Sequence, residues 1–141
     1  MEGYLQRFLA LYRPVITRLN ELMSNYGITY SQWIVIYHLK HRGASTLVEI
    51  AVQHEVEKPT ITRRVKKLMD LGIVEQILGN DKREKIIQLT DIGENIYRDI
   101  RKDITELEFR IMENIPEHER KIAYEIFPKI NDNLKKEREL H

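Results

Sequence analysis

The stretch Asp81-Lys82-Arg83-Glu84-Lys85-Ile86-Ile87-Gln88-Leu89-Thr90-Asp91-Ile92-Gly93 joins a charged turn, a short apolar segment and the start of a helix. Residues 73–78 precede the turn, and their length and β-branched content predict a partner strand. Gly79-Asn80-Asp81 supplies the residue types of a tight turn. Thr90 can cap the following helix because its hydroxyl can accept a hydrogen bond from an unpaired backbone N–H. The stretch therefore predicts a β-hairpin that runs directly into a long helix.

Residues 57–68, just upstream, predict a helix with one apolar and one strongly basic face. Between Lys58 and Lys67 the chain has five cations and no acid. Pro59 fits the first helical turn, where a missing backbone N–H costs nothing. The positions expected to pack inward are Ile61, Val65 and Leu68. A basic helix followed by a basic hairpin is the layout of a winged helix-turn-helix, which places the helix in the major groove of DNA.

The remaining sequence is mostly helical by pattern. Apolar residues recur at helical spacing from Leu5 to Tyr26, with Pro14 expected to kink or split that helix. A second helix is expected at residues 32–41, and the helix capped by Thr90 should continue for roughly 24 residues, longer than average. Further caps and breaks are expected at Thr29 or Ser31, at Ser45 or Thr46, and at Pro116 and Pro128.

Composition argues against several classes of protein. The 141 residues are 42% hydrophobic and 32% charged, which is ordinary for one soluble domain. There is no cysteine, so disulfides and thiolate metal ligands are excluded. The apolar runs are too short to span a membrane and no signal-peptide layout is present, which predicts a cytoplasmic protein without a membrane partner. No phosphate loop, nucleophile elbow or metal-and-carboxylate motif occurs, so neither an enzyme nor a cofactor is expected.

The basic helix and the hairpin supply side chains suited to DNA. Arginine can form two hydrogen bonds with a guanine edge, threonine offers a hydroxyl and a methyl group, and lysine neutralises phosphates. The predicted DNA-binding residues are Ser45, Thr46, Lys58, Pro59, Thr60, Thr62, Arg63, Arg64, Lys66, Lys67, Asp81, Lys82, Arg83 and Lys85. Taken alone, a basic helix face is more often simply a solvated face. The hairpin that follows makes DNA binding the better interpretation.

Specific roles in DNA binding are expected for two residues of the hairpin tip. Arg83 is expected to enter or flank the minor groove, whose negative potential attracts arginine. Asp81 cannot contact phosphate favourably, so its expected role is to hold Arg83 by a charge-assisted hydrogen bond. The alternative is an ordinary polar turn.

These motifs resemble the MarR family of bacterial transcriptional regulators. The segments that carry the likeness are residues 45–51, residues 56–68, Leu71-Gly72-Ile73-Val74, and Asp81-x-Arg83 followed after five residues by Leu89-Thr90-x-x-Gly93. The resemblance covers almost the whole chain. It implies a homodimer on an inverted-repeat DNA operator, and a small, often aromatic and anionic effector that weakens DNA binding. Pro59 departs from the small polar residues more usual there, and removes one possible N–H contact to phosphate.

The resemblance also implies the domain organisation. The expected fold class is mainly α with a small β-hairpin wing, a winged helix-turn-helix with N- and C-terminal dimerisation helices. One domain should cover residues 1–141, with the winged lobe at about 29–90 and the dimerisation helices at about 1–26 and 90–138. The function expected is sequence-specific regulation of transcription, most simply repression. The alternative is a winged-helix protein-interaction module that does not bind DNA.

Two smaller sets of residues leave alternatives open. Effector pockets in the family lie between the dimer helices and the DNA-binding lobe, and an aromatic anion would suit the side chains Tyr12, Arg13, Trp33 and Tyr37. Aromatics at helical spacing are more often core. His38 and His41 lie three apart, a spacing compatible with a metal ion, but no dense ligand cluster accompanies them, so no metal site is expected.

Overall fold

The structure is a computed structural model that describes residues 3–79 and 84–140. Its elements are α1 (Tyr4–Ser24), α2 (Tyr30–Arg42), β1 (Ser45–Thr46), α3 (Leu47–His54), α4 (Lys58–Asp70), β2 (Val74–Leu78), β3 (Lys85–Leu89), α5 (Asp91–Ile111) and α6 (Glu117–Leu140). The chain forms two compact units, a larger one that ends at Ile104 and a smaller one that begins at Thr105. The mainly helical fold with a small antiparallel wing is confirmed.

Local capping chemistry sets the helix boundaries. Thr29 caps α2 through a capping box, in which its hydroxyl accepts from the Gln32 backbone N–H and the Gln32 side chain accepts from the Thr29 N–H. Thr46 caps α3 by accepting from the Glu49 N–H at 3.1 Å. Pro59 lies in the first turn of α4, as its missing N–H predicts. Pro14 does not split α1, which continues through it from Tyr4 to Ser24.

The strands pair in the order β1-β3-β2, and both pairings are antiparallel. The sequence predicts β2 and β3 but not β1, because the only local structure expected at Ser45 and Thr46 is a helix cap. Ser45 lies opposite Ile87 and Thr46 opposite Ile86. The base of the wing is therefore tied to the loop between α2 and α3.

The junction between β3 and α5 explains the Leu-Thr-x-x-Gly motif. The Thr90 hydroxyl donates to the Gly72 carbonyl and accepts from the Gly93 N–H at 3.0 Å. The Thr90 N–H donates to the Ile73 carbonyl at 3.0 Å. A Cβ on Gly93 would lie 2.1 Å from that same carbonyl oxygen. Only glycine lets α5 begin against the start of the wing.

The core of the larger unit is made by α2, α3, α4 and the sheet. The buried apolar residues of these elements include Trp33, Val35, Ile36, Leu39, Leu47, Ile50, Ala51, Ile61, Val65, Leu68, Val74 and Ile87. In the smaller unit, α6 contributes no buried residue. Most of its large apolar side chains are exposed, among them Ile122, Phe127 and Leu134.

Candidate nucleic-acid interface

Helix α4 separates its apolar and basic residues across two faces. Ile61, Val65 and Leu68 are buried, as the sequence predicted. This burial fixes the rotation of the helix and turns most of the other positions towards solvent. The exposed cations of α4 are Lys58, Arg63, Lys66 and Lys67. Four positive side chains on one outward face can neutralise phosphates and reach base edges.

The first turn of α4 holds its polar side chains by internal hydrogen bonds. The Thr62 hydroxyl donates to the Lys58 carbonyl at 3.0 Å, which leaves its oxygen free to accept. Arg63 Nη2 donates to the Thr60 hydroxyl at 3.3 Å. Pro59 is exposed beside them. These contacts orient side chains of the first turn before any ligand arrives.

Arg64 does not share this outward orientation, although the sequence analysis grouped it with the exposed cations. Its side chain is half-buried, and Nη1 is buried with no hydrogen-bond partner in the part of the chain that the structure describes. A residue three positions after Ile61 lies only about 60° from it around a helix, so Arg64 borders the buried stripe. The helical spacing could have revealed this. Arg64 faces its neighbouring helices at least as much as the solvent.

Ser45 and Thr46 also differ from expectation. Ser45 is buried, and its hydroxyl donates to the Gly43 carbonyl at 2.9 Å and lies 3.1 Å from Nε2 of His38. Thr46 is half-buried and caps α3. Both side chains are engaged inside the protein. Their side chains therefore have structural roles at the start of α3.

Two clefts lie beside α4, the helix expected to enter the major groove and here called the recognition helix. The first, of about 410 Å³, lies where α3, α4 and the wing base meet, and its lining consists of Thr46, Leu47, Val48, Glu49, Lys58, Glu84 and Lys85. The second, of about 220 Å³, lies between α4 and the strands, with Lys66 and Lys85 in its wall. Lys85 is exposed at the start of β3, opposite Leu78. Lysines therefore border the space between helix and wing.

The tip of the wing lies outside the described residues. Asp81, Lys82 and Arg83 fall there. Their predicted roles, including the hold of Asp81 on Arg83, stay predictions.

The four candidate effector residues fall into different settings. Trp33 is a core side chain, only 5% exposed, and stacks on Tyr97 of α5 with ring centroids 5.4 Å apart. Tyr37 is exposed, with its ring centroid 6.3 Å from that of Trp33 and 4.1 Å from that of His41. Tyr12 stacks on Phe8 of its own helix, and Arg13 is exposed. Trp33 and Tyr37 are thus in one ring cluster, and their effector role remains untested.

Tyr97 was missed by the sequence analysis. Its hydroxyl lies 3.1 Å from Nε2 of His41, and it lines a groove of about 290 Å³. The other lining residues are Lys40, Glu94, Arg98 and Arg101. Lys40 is paired with Glu94 at 2.7 Å. Tyr97 is half-buried on α5, and the sequence carries no local signal of this role because its partners come from α2.

Within residues 3–79 and 84–140, no group of three or more His, Cys, Asp or Glu side chains could hold a metal ion. His38 and His41 take different surroundings: His38 is buried against Ser45, whereas His41 is exposed against Tyr97.

Comparison with known proteins places this geometry in a family. The MarR family model matches residues 26–84. The uncharacterized HTH-type transcriptional regulator YwoH of Bacillus subtilis is 32% identical, over 82% of this chain and 84% of its own length. This chain belongs to the MarR family. This MarR-family protein is a DNA-binding regulator of transcription, in agreement with the exposed cations of α4.

Other relatives extend the likeness to the whole MarR fold. The uncharacterized HTH-type transcriptional regulator SAV2265 of Staphylococcus aureus is 28% identical, over 96% of this chain and 95% of its own. A mutant of Escherichia coli MarR, solved with operator DNA, is 26% identical with a TM-score of 0.76, covering 89% of this chain and 92% of that one. S. aureus MarR, solved with salicylate and kanamycin, shares the fold with a TM-score of 0.87 at 24% identity, covering 96% of this chain and 93% of that one.

Among the described residues, no helix combines the length and apolar character needed to cross a bilayer.

Proposed function

We propose that this protein is a homodimeric repressor that binds an inverted-repeat operator and releases it when a small aromatic or anionic effector binds. The observation that carries the proposal is the outward face of α4, where Lys58, Arg63, Lys66 and Lys67 stand over a fully buried stripe. A related MarR protein has been solved on operator DNA. A regulator that occupies promoter DNA most simply acts by blocking transcription.

The homodimer is supported by apolar surface that one chain leaves uncovered. On α1, the exposed apolar side chains are Leu5, Phe8, Leu9, Leu11 and Tyr12. On α6, they include Ile122, Tyr124, Phe127 and Leu134. A row of exposed apolar side chains on a helix of this kind marks an interaction site. A two-fold dimer presents two recognition helices in opposite orientations, which an inverted-repeat operator matches.

The effector is supported by the aromatic and cationic surface between α2 and α5. The ring cluster of Trp33, Tyr37 and Tyr97 adjoins a groove. Its wall holds three cations and one acid, namely Lys40, Arg98, Arg101 and the Glu94 that pairs with Lys40. Stacking on rings and pairing with cations suit an aromatic anion. Salicylate, bound by a structural relative, is such a molecule.

The protein acts by binding rather than by catalysis, and it does so in the cytoplasm. The absence of cysteine from the sequence suits a reducing compartment. The sequence motifs are accounted for by DNA binding, and none calls for a substrate or a cofactor.

The test starts from selection of duplexes from a random-sequence DNA pool. The selected duplex is then compared with scrambled duplex in mobility-shift titrations at several salt concentrations. We expect a two-fold symmetric site, tighter binding of selected DNA, and weakening by millimolar salicylate. Arg83→Ala should weaken binding and reduce its salt dependence, because fewer counterions are released. Failure to enrich any sequence would favour the protein-interaction module instead.

A further inference from the structure

Three helices of the DNA-binding lobe meet at a small group of nitrogen-bearing side chains. His38 comes from α2, His54 from the last turn of α3, and Arg64 from α4. The imidazole centroids of His38 and His54 lie 5.2 Å apart, edge to face. His38 is buried, and His54 and Arg64 are half-buried. Each of the three helices therefore places a buried or half-buried ionisable side chain in this lobe.

The hydrogen bonds of Ser45 define the state of His38. Ser45 donates its only hydroxyl proton to the Gly43 carbonyl at 2.9 Å. Its oxygen can then only accept from His38, whose Nε2 lies 3.1 Å away. Neutral His38 therefore carries its proton on Nε2.

His54 and Arg64 each have an unmet hydrogen-bonding need. Nδ1 of His54 and Nη1 of Arg64 are both buried and lack a hydrogen-bond partner among the described residues. A buried guanidinium N–H left unpaired is costly. An unprotonated imidazole nitrogen is an acceptor, whereas a protonated one is a second donor. The two atoms complement each other only while Nδ1 of His54 is unprotonated.

We infer that neutral His54 accepts a hydrogen bond from Arg64 after a small side-chain rotation, that this pair holds the recognition helix in its DNA-binding orientation, and that protonation of His54 releases the helix. Arg64 is then a positioning residue rather than a reader of bases. The inference rests on the proposed DNA binding, which it deepens by adding a response to acid.

The charges around the pair favour the neutral state. Burial lowers the pKa of His54 most, and the neighbouring charges of His38, Arg64 and Arg42 lower it further. Burial and Arg42 lower the pKa of His38, and the carboxylate of Glu49 opposes them. Near pH 7.5 both imidazoles are neutral. Acid adds positive charge beside Arg64, with only Glu49 among these groups to balance it.

The direction in which DNA affinity changes with pH distinguishes the His54–Arg64 pair from simple attraction between positive charge and DNA. Protonation of exposed histidines adds positive charge and strengthens attraction to DNA phosphates. Protonation of His54 should instead remove the acceptor of Arg64 and place like charges together. Binding should therefore weaken as the pH falls.

The first experiment measures the affinity of the full-length protein for the selected duplex between pH 7.5 and 5.5 at constant ionic strength. We expect the affinity of the wild type to fall by roughly tenfold, as for the loss of one hydrogen bond to a charged group. His54→Gln keeps a side-chain acceptor that does not titrate, so it should bind normally at pH 7.5 and lose the acid response. His41→Gln removes an exposed imidazole of α2 and should retain the response. Tighter wild-type binding in acid overturns the inference.

The second experiment does not use DNA, so it remains informative if the proposed function fails. The imidazole of His54 is titrated by NMR in the free wild type and in Arg64→Gln. Removal of the neighbouring cation should raise the pKa of His54, and an unchanged titration overturns the pairing. A third measurement returns to DNA and uses the same variant. The affinity of Arg64→Gln for the selected duplex should no longer change with pH. If the affinity still falls in acid and the variant no longer discriminates between selected and scrambled duplex, Arg64 reads bases and the positioning role is wrong.

Discussion

Helices α4 and α6 are both amphipathic, yet the apolar face of α4 is buried and that of α6 is exposed. In α4, Ile61, Val65 and Leu68 are all at most 3% exposed. In α6, Ile122 and Phe127 are each 54% exposed, and the helix has no buried residue. Similar periodicity in the sequence thus leads to opposite burial. The difference lies in what each helix has to pack against.

The contrast assigns different tasks to the two helices. Helix α4 satisfies its apolar face inside one lobe, so its basic face is held outward and available to DNA. Helix α6 leaves apolar side chains in solvent, a state that single chains seldom maintain over a long surface. A second copy of the chain is the partner that a two-fold regulator supplies. Substitutions on α4 should therefore reduce folding stability or DNA binding, whereas substitutions on α6 should weaken the dimer.

The largest effect is expected from Leu68→Ala in α4. Deletion of a fully buried leucine leaves a cavity and should lower the free energy of unfolding by about 2–5 kcal/mol. Urea denaturation at one fixed protein concentration measures the loss. Met69→Ala, at the neighbouring and exposed position, is the matched control and should cost less than about 1 kcal/mol. Equal losses for both variants would mean that the α4 stripe is not core.

A smaller effect, on association rather than folding, is expected from Phe127→Glu in α6. A charge at an apolar interface should weaken the dimer by about thirtyfold or more, while secondary structure is retained. Sedimentation equilibrium measures the dissociation constant, and circular dichroism checks the helices. Glu125→Ala on the same helix should leave the dimer intact. A wild-type protein that is monomeric and binds DNA at micromolar concentration would contradict the role given to α6.

Local signals made much of the fold predictable. Thr29, Thr46 and Thr90 each cap a helix through bonds to residues three positions away, so the sequence alone contains both partners. The inward face of α4 follows from periodicity in the same way. These features depend on short stretches and not on the rest of the molecule.

What could not be predicted depends on distant partners. Strand β1 has only two residues and exists because Ser45 and Thr46 meet β3, about forty positions later. The partial burial of Arg64 depends on how α4 packs against its neighbouring helices. Periodicity identified α6 as amphipathic, but it does not say whether its apolar face is covered by the same chain or by another.

The third prediction compares one lysine on each helix. Lys67→Ala in α4 should lower the affinity for selected and for scrambled DNA by a similar factor, about two- to fivefold, because a phosphate contact carries no sequence information. The slope of log affinity against log salt should become less steep by about 1. Lys129→Ala removes the same charge from α6 and should change neither quantity. If both lysines act alike, binding reports net charge rather than a DNA-facing α4.

The smallest effect concerns stability in acid. Burial is the main reason that the pKa values of His38 and His54 are lowered. The unfolded chain, with histidine pKa values near 6.5, therefore binds protons before the folded chain does. The free energy of unfolding should fall as the pH drops through about 6.5 towards the lowered pKa values, and it should be unaffected above that window.

This expected loss of stability in acid is tested by replacing either His54, at the contact between α3 and α4, or His118 of α6. Since His54 is only half-buried, solvent screening should keep its share at about 1 kcal/mol or less. Urea titrations at pH 7.5 and 5.5 should show that His54→Gln loses less stability in acid than the wild type. His118→Gln, at an exposed position of α6, should lose as much as the wild type. If instead the α6 variant is the one that resists acid, the titrating groups that matter lie outside the contact between α3 and α4.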